Sequence, residues 1–154
     1  HQAGVTHRDI TPDNVMITTK GSVKVIDFGI DAIVKEANFR RWNNPIFLST
    51  YYVSPEQMAG EEPSPSMAIY SLGCLFYEML AGKHPFDVGK SKIKKAQISE
   101  IPKDPRVHYK DIPEHIVNAI MMALNKNPED RQQSCEDFAN QLEGKIRPTP
   151  EPPP

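Results

Sequence analysis

Residues 7 to 14 read His7-Arg8-Asp9-Ile10-Thr11-Pro12-Asp13-Asn14, and thirteen positions beyond Asn14 comes Asp27-Phe28-Gly29. These types at this spacing suit the transfer of a phosphoryl group from a nucleotide. Asp9 can orient a hydroxyl nucleophile, the Asn14 amide can hold a metal, and Asp27 offers a metal-binding carboxylate on a turn. Such chemistry depends mostly on positioning and on neutralising charge, so one acceptor-facing carboxylate and two cation ligands around one cleft form a sufficient core.

Small strands must carry both segments. Val5-Thr6, Val15 to Thr18 and Ser22 to Ile26 are β-branched runs, and Lys20-Gly21 between the last two predicts a hairpin turn. From Asp27 to Glu56 the chain has little periodicity, with Arg40-Arg41 and Asn43-Asn44-Pro45, which predicts a long functional surface segment and no regular element. Ile69, Leu72, Phe76, Met79 and Leu80 then recur at helical spacing, with Cys74 and Leu75 making the opposite side apolar and Gly82 as a stop. A central buried helix follows from that pattern. Ile116, Val117, Ile120, Met121 and Leu124 predict an amphipathic helix between Pro113 and Asn127-Pro128, and Ser134, with Asp137 three positions on, predicts the start of another whose inner face is Phe138 and Leu142.

The 154 residues hold 38% apolar and 25% charged side chains with a net charge of -2, which suits one ordinary domain or part of a larger one. No bulk positive field exists for nucleic acid or anionic lipid. The apolar run at 69–80 is too short and too polar to cross a bilayer. Two cysteines, Cys74 and Cys135, give neither a disulfide framework nor a zinc site and read as reduced thiols of a cytoplasmic protein. His1, His108 and His115 lack partner spacing for metal or triad chemistry, and His84 reads as a packing residue. The opening His1-Gln2-Ala3-Gly4 reads as a helix end with Gly4 at a left-handed cap, so His1 is not expected to be the natural start. Residues 147–154 contain five prolines and read as an extended tail or linker.

Taken in order, these segments resemble the C-terminal lobe of a eukaryotic-type Ser/Thr protein kinase, in wording closest to bacterial members. His7-Arg8-Asp9 with Asn14 resembles the catalytic loop, Asp27-Phe28-Gly29 the metal-binding turn, and Ser54-Pro55-Glu56 the end of the activation segment. Tyr70-Ser71-Leu72-Gly73 resembles the central helix, and Asn127 to Arg131 the loop whose Arg pairs with Glu56. The resemblance implies a mainly α fold with a small β-hairpin, a partial kinase domain over 1–146 and a Pro-rich tail over 147–154. It implies ATP and Mg²⁺ as cofactors and a protein substrate. Asp9 would meet the substrate hydroxyl, Asn14 and Asp27 would hold Mg²⁺, Arg8 would face the activation segment, and Ser49 and Thr50 would lie where substrate binds. Glu56 and Arg131 would form a fold-fixing ion pair. Pro12 and Ser54-Pro55-Glu56 favour a Ser/Thr acceptor over Tyr.

Three departures from the family pattern stand out, and the first two bear on rate. Thr11 stands where the family usually has a lysine on the transferring phosphate, and losing one such charge typically costs about 3 kcal/mol in the transition state. Ala68 replaces an Asp that accepts hydrogen bonds from the catalytic-loop backbone; each buried donor left unpaired costs about 1 to 3 kcal/mol, which predicts a looser loop unless another acceptor enters. Ser49 in place of Thr keeps the hydroxyl. Between Asp27 and Leu48 no Ser, Thr or Tyr occurs, so Arg8 has no phosphorylated partner there; Glu36 or Asp31 as a fixed charge, or packing of Phe39, Trp42 and Phe47, would have to order the segment.

The family's Gly-rich loop, phosphate-pairing Lys and helical Glu belong to an N-terminal lobe that has no counterpart in residues 1–154, so this chain alone is expected to be inactive. Apolar surface around Leu72 and Phe76 is then expected to be partly exposed. The alternative from another class is a pseudokinase scaffold that binds partners or nucleotide without turnover, on the strength of Thr11 and Ala68 together.

Overall fold

The computed structural model describes residues 1, 3–4, 6–28 and 51–145. Readings that fall on Val5, on 29–50, including Asp31, Glu36, Ser49 and Thr50, and on the proline-rich end lie outside the described residues.

Two short strands, β1 (Val15–Ile17) and β2 (Val23–Val25), pair antiparallel with Val15 opposite Val25 and Ile17 opposite Val23. The turn between them closes where predicted: the Gly21 amide donates to the Thr18 carbonyl at 2.9 Å, and Gly21 takes a left-handed φ of 80° that a side chain would resist. Thr6 lies outside any strand. β-Branching there meets no partner strand among the described residues.

The longer elements among the described residues are helices: α1 (Pro55–Ala59), α2 (Pro65–Ala81), α3 (Lys90–Ser99), α4 (Glu114–Ala123) and α5 (Cys135–Leu142). The expectation of no regular element up to Glu56 fails at α1, where Ser54 supplies a cap, its Oγ accepting from the Gln57 amide, and Pro55 fits the first turn. α3 has a mostly polar sequence with buried Ile93, Ala96 and Gln97, too narrow an apolar stripe to stand out as a periodic run. The predicted caps hold. Ser134 Oγ accepts from the Asp137 amide at 3.0 Å, and Gly82 ends α2 at φ 65°.

α2 is the axis of the molecule. Tyr70, Cys74 and Tyr77 on one side pack with Ile120 and Leu124, while Ile69 packs with Ala119, Ala123 and Phe138 on another. A helix apolar all round must be covered all round, which is why α4 and α5 flank it. Phe76 meets Phe138 edge to face at 5.5 Å and is half-buried, as is Leu72, whereas Met79 is exposed. α3 docks through Ile93 and Ala96, which pack against Phe86, and through the Gln97 amide, which bonds the Tyr51 carbonyl.

Cys74 is a buried free thiol whose pKa burial pushes up to about 12, so it is inert; Cys135 is free and only partly buried. No helix among the described residues is long and apolar enough to cross a membrane.

Candidate active site

The segment from His7 to Asn14 is wound into a loop followed by a 3-10 turn (Pro12–Asn14), and β1 and β2 bring its end beside Ile26 and Asp27. Two hydrogen bonds close the junction. The Ile26 amide donates to the Asn14 carbonyl at 2.9 Å, and His7 Nε2 donates to the Ile26 carbonyl at 2.6 Å. His7 takes that role because its Nδ1 accepts the Asp9 amide at 3.3 Å, which leaves the proton on Nε2. Phe28 packs its ring edge on His7 at 4.5 Å. One imidazole thus joins the two motifs.

Asp9 and Asn14 touch directly. Asn14 Nδ2 donates to the Asp9 carbonyl at 2.8 Å and to Asp9 Oδ2 at 3.0 Å, which leaves Asn14 Oδ1 as the end of the amide able to face a cation. Burial pushes the Asp9 carboxyl above the ordinary carboxylate pKa; the Asn14 amide and His7 pull it down, and the negative charges of Asp27 and Asp13 push it up. Asp27 is therefore near enough to Asp9 to be felt electrostatically. It is exposed, and it sits in the left-handed region at φ 62°.

Among the described residues Arg8 is the other non-glycine residue there, at φ 66°. Backbone in this region costs about 1 to 3 kcal/mol and persists only where surroundings enforce it. Both instances fall in the two predicted motifs, one residue before Asp9 and at Asp27 itself. Thr11 is buried at 4% exposure, and its side chain makes no cap to the 3-10 turn. Ala68 is buried on α2 and brings no acceptor. The looser loop expected from that substitution has counterweights, because the Asp9 amide is paired with His7 Nδ1 and the Arg8 carbonyl accepts from Gln57 Nε2 at 2.9 Å.

Glu56 and Arg131 meet as expected, in a two-pronged pair at 2.6 and 2.8 Å with both side chains buried. The guanidinium also donates to the carbonyls of Asn125, Ser66 and Lys126, so its donors are largely satisfied. The structure joins Asp9, Asn14 and the Asp27 turn in one place and sets Glu56 and Arg131 apart as a brace. His7 and Gln57 were not among the predicted site residues. The first lay inside the motif, and the second beside Glu56, but a hydrogen bond between positions 8 and 57 leaves no local pattern in a sequence.

Among the described residues no group of three or more His, Cys, Asp and Glu side chains could hold a metal ion. The oxygen donors on offer to a cation here are the Asp27 carboxylate and Asn14 Oδ1. Such oxygen donors suit a hard divalent cation that keeps part of its shell for phosphate and water.

A family model described as the protein kinase domain matches residues 1–142. A probable serine/threonine-protein kinase of Streptomyces coelicolor is 38% identical over 146 residues, covering 93% of this chain and 22% of that protein. The serine/threonine-protein kinase PknB of Mycobacterium leprae is 35% identical over 144 residues, with 92% and 23% covered, and a probable PknB of Corynebacterium glutamicum is 37% identical over 149 residues with the same coverage. The chain spans less than a quarter of the length of these relatives.

Proposed function

Because this chain belongs to the protein kinase domain family, we propose that it is the C-terminal lobe of a Ser/Thr protein kinase, active with ATP and Mg²⁺ once an N-terminal lobe completes the cleft. The single observation that carries the reading is the Asp9–Asn14 contact beside the Asp27 turn, held by the His7 bridge.

Asp9 takes the hydroxyl proton of a Ser or Thr substrate. Its burial makes it a better base than an exposed aspartate, and the Asn14 amide fixes the Oδ2 lobe so that the other oxygen faces the incoming alcohol. Asn14 Oδ1 and the Asp27 carboxylate would hold Mg²⁺, which when bound neutralises charge on the nucleotide phosphates. Ser49 and Thr50 would border the substrate, Arg8 the activation segment, and Thr11 would offer the transferring phosphate a hydroxyl in place of a charge.

An N-terminal lobe is proposed from two supports. Met16, Ile17, Val23 and Phe28 are 55%, 70%, 63% and 57% exposed around the proposed cleft, and apolar groups so placed suit a covering partner. The relatives are also several times longer than this chain. A kinase of this kind would work in the cytoplasm, where ATP is.

Full-length protein given labelled ATP, Mg²⁺ and a protein acceptor tests the reading. Asp9→Asn is expected to lower kcat by about 10² to 10⁴ with little change in melting temperature. Equal incorporation by both proteins would remove Asp9 from the chemistry. The pseudokinase reading is favoured by the buried Thr11 and by Ala68, and nucleotide binding without any incorporation by the wild-type protein would establish it.

A further inference from the structure

Gln57 holds a position that packing alone does not explain. It sits in α1, next to Glu56, whose carboxylate is locked to Arg131, and its own amide is bonded to Ser54 Oγ at 3.3 Å. Its side-chain Nε2 crosses to the Arg8 carbonyl at 2.9 Å, while its Oε1 is buried with no hydrogen-bond partner among the described residues. An aliphatic side chain would spare that orphaned acceptor. The amide is worth keeping only for its donor end, since without it the Arg8 carbonyl would lose this bond.

The carbonyl it holds belongs to the peptide that joins Arg8 to Asp9. The opposite edge of the same peptide, the Asp9 amide, is bonded to His7 Nδ1 at 3.3 Å, and the next carbonyl, that of Asp9, receives Asn14 Nδ2 at 2.8 Å. Arg8 meanwhile is held at φ 66°, a conformation that an unrestrained arginine would leave. Release of the Gln57 bond would let this peptide plane rotate toward negative φ at Arg8 and carry the Asp9 carboxylate with it.

We infer that Gln57 is a positioning residue, which clamps the Arg8–Asp9 peptide in its left-handed setting and transmits the rigidity of the Glu56–Arg131 brace to the Asp9 side chain. The kinetic half of this inference rests on the proposed catalytic role of Asp9; the structural half does not.

Gln57→Met and Gln57→Glu in the full-length protein, with Asp9→Asn beside them, separate the two. Gln57→Met is expected to speed amide exchange in the His7–Ile10 segment about tenfold with no change in α2, and to lower kcat about tenfold while KM for ATP stays within twofold. Gln57→Glu, ionised, cannot donate to the Arg8 carbonyl, so its activity relative to wild type should recover as pH falls and the carboxyl regains its proton. Unchanged exchange at 7–10 with unchanged kcat in Gln57→Met overturns the inference, as does loss of protection spread evenly over α2. If Gln57→Met does not fold, the Glu variant decides, and a pH profile parallel to wild type counts against the clamp. Faster exchange at 7–10 together with a fully active Asp9→Asn protein would keep the clamp and discard the catalytic reading instead.

Discussion

Arg131 is almost fully buried, yet its charge meets Glu56 through both oxygens and its remaining donors meet three backbone carbonyls. The Tyr70 ring adds a face 4.8 Å from the guanidinium carbon. A network so complete is costly to break from one side, because the survivor is left charged in an apolar setting. Arg131→Met should therefore destabilise by roughly 3 to 5 kcal/mol, read as a lowered urea midpoint with unchanged slope. At this scale the sequence was informative wherever residues act in runs. Asp9, Asn14 and Asp27 stand in segments whose spacing states their chemistry, whereas the His7 bridge to Ile26 and the reach of Gln57 to Arg8 join positions 19 and 49 apart. Nothing in a linear pattern pairs them.

The helices show the same division at the scale of elements. α2 and α4 were legible because their apolar faces are broad and Gly82 and Pro113 mark an end of each, and α5 because Ser134 and Asp137 mark its start just ahead of Phe138. α1 has only five residues, and α3 buries only Ile93, Ala96 and Gln97, so neither raises a clear period. Closeness of packing was also hidden. Gly73 faces α4 so tightly that an added Cβ would lie 2.9 Å from Ala123 Cβ and 3.3 Å from Leu124 Cδ2. Alanine normally favours a helix over glycine by about 1 kcal/mol, but here α2 and α4 would have to part. Gly73→Ala is expected to lower stability by about 1 to 2 kcal/mol net of that gain, measurable as a drop in melting temperature. A rise would mean that α4 shifts at little cost.

Across the whole molecule, His84 ties three regions together. Its Nδ1 accepts the Phe86 amide at 3.1 Å and its Nε2 donates to the Tyr51 carbonyl, the same carbonyl that receives Gln97 from α3. Only neutral imidazole can do both. Burial accordingly lowers the His84 pKa below its ordinary value near 6.5. The unfolded chain then takes up this proton first as pH falls, so the stabilising contribution is complete above about pH 6.5 and is lost as pH drops through the folded pKa. Unfolding midpoints should fall across that interval in wild type and fall less in His84→Gln; parallel curves would exclude His84 as the cause. The hairpin imposes a different kind of rule. Val15 faces Val25, and the Asn14 carbonyl takes the Ile26 amide one step beyond, so the two cation-facing groups leave the ladder at the same end. Neighbouring strand residues point to opposite sides, and a one-residue slip in that pairing would send Asn14 or Asp27 away from its counterpart. Descendants of this chain are free to respell the bend from Thr18 to Ser22, but the strand count on either side of it is an integer they must conserve.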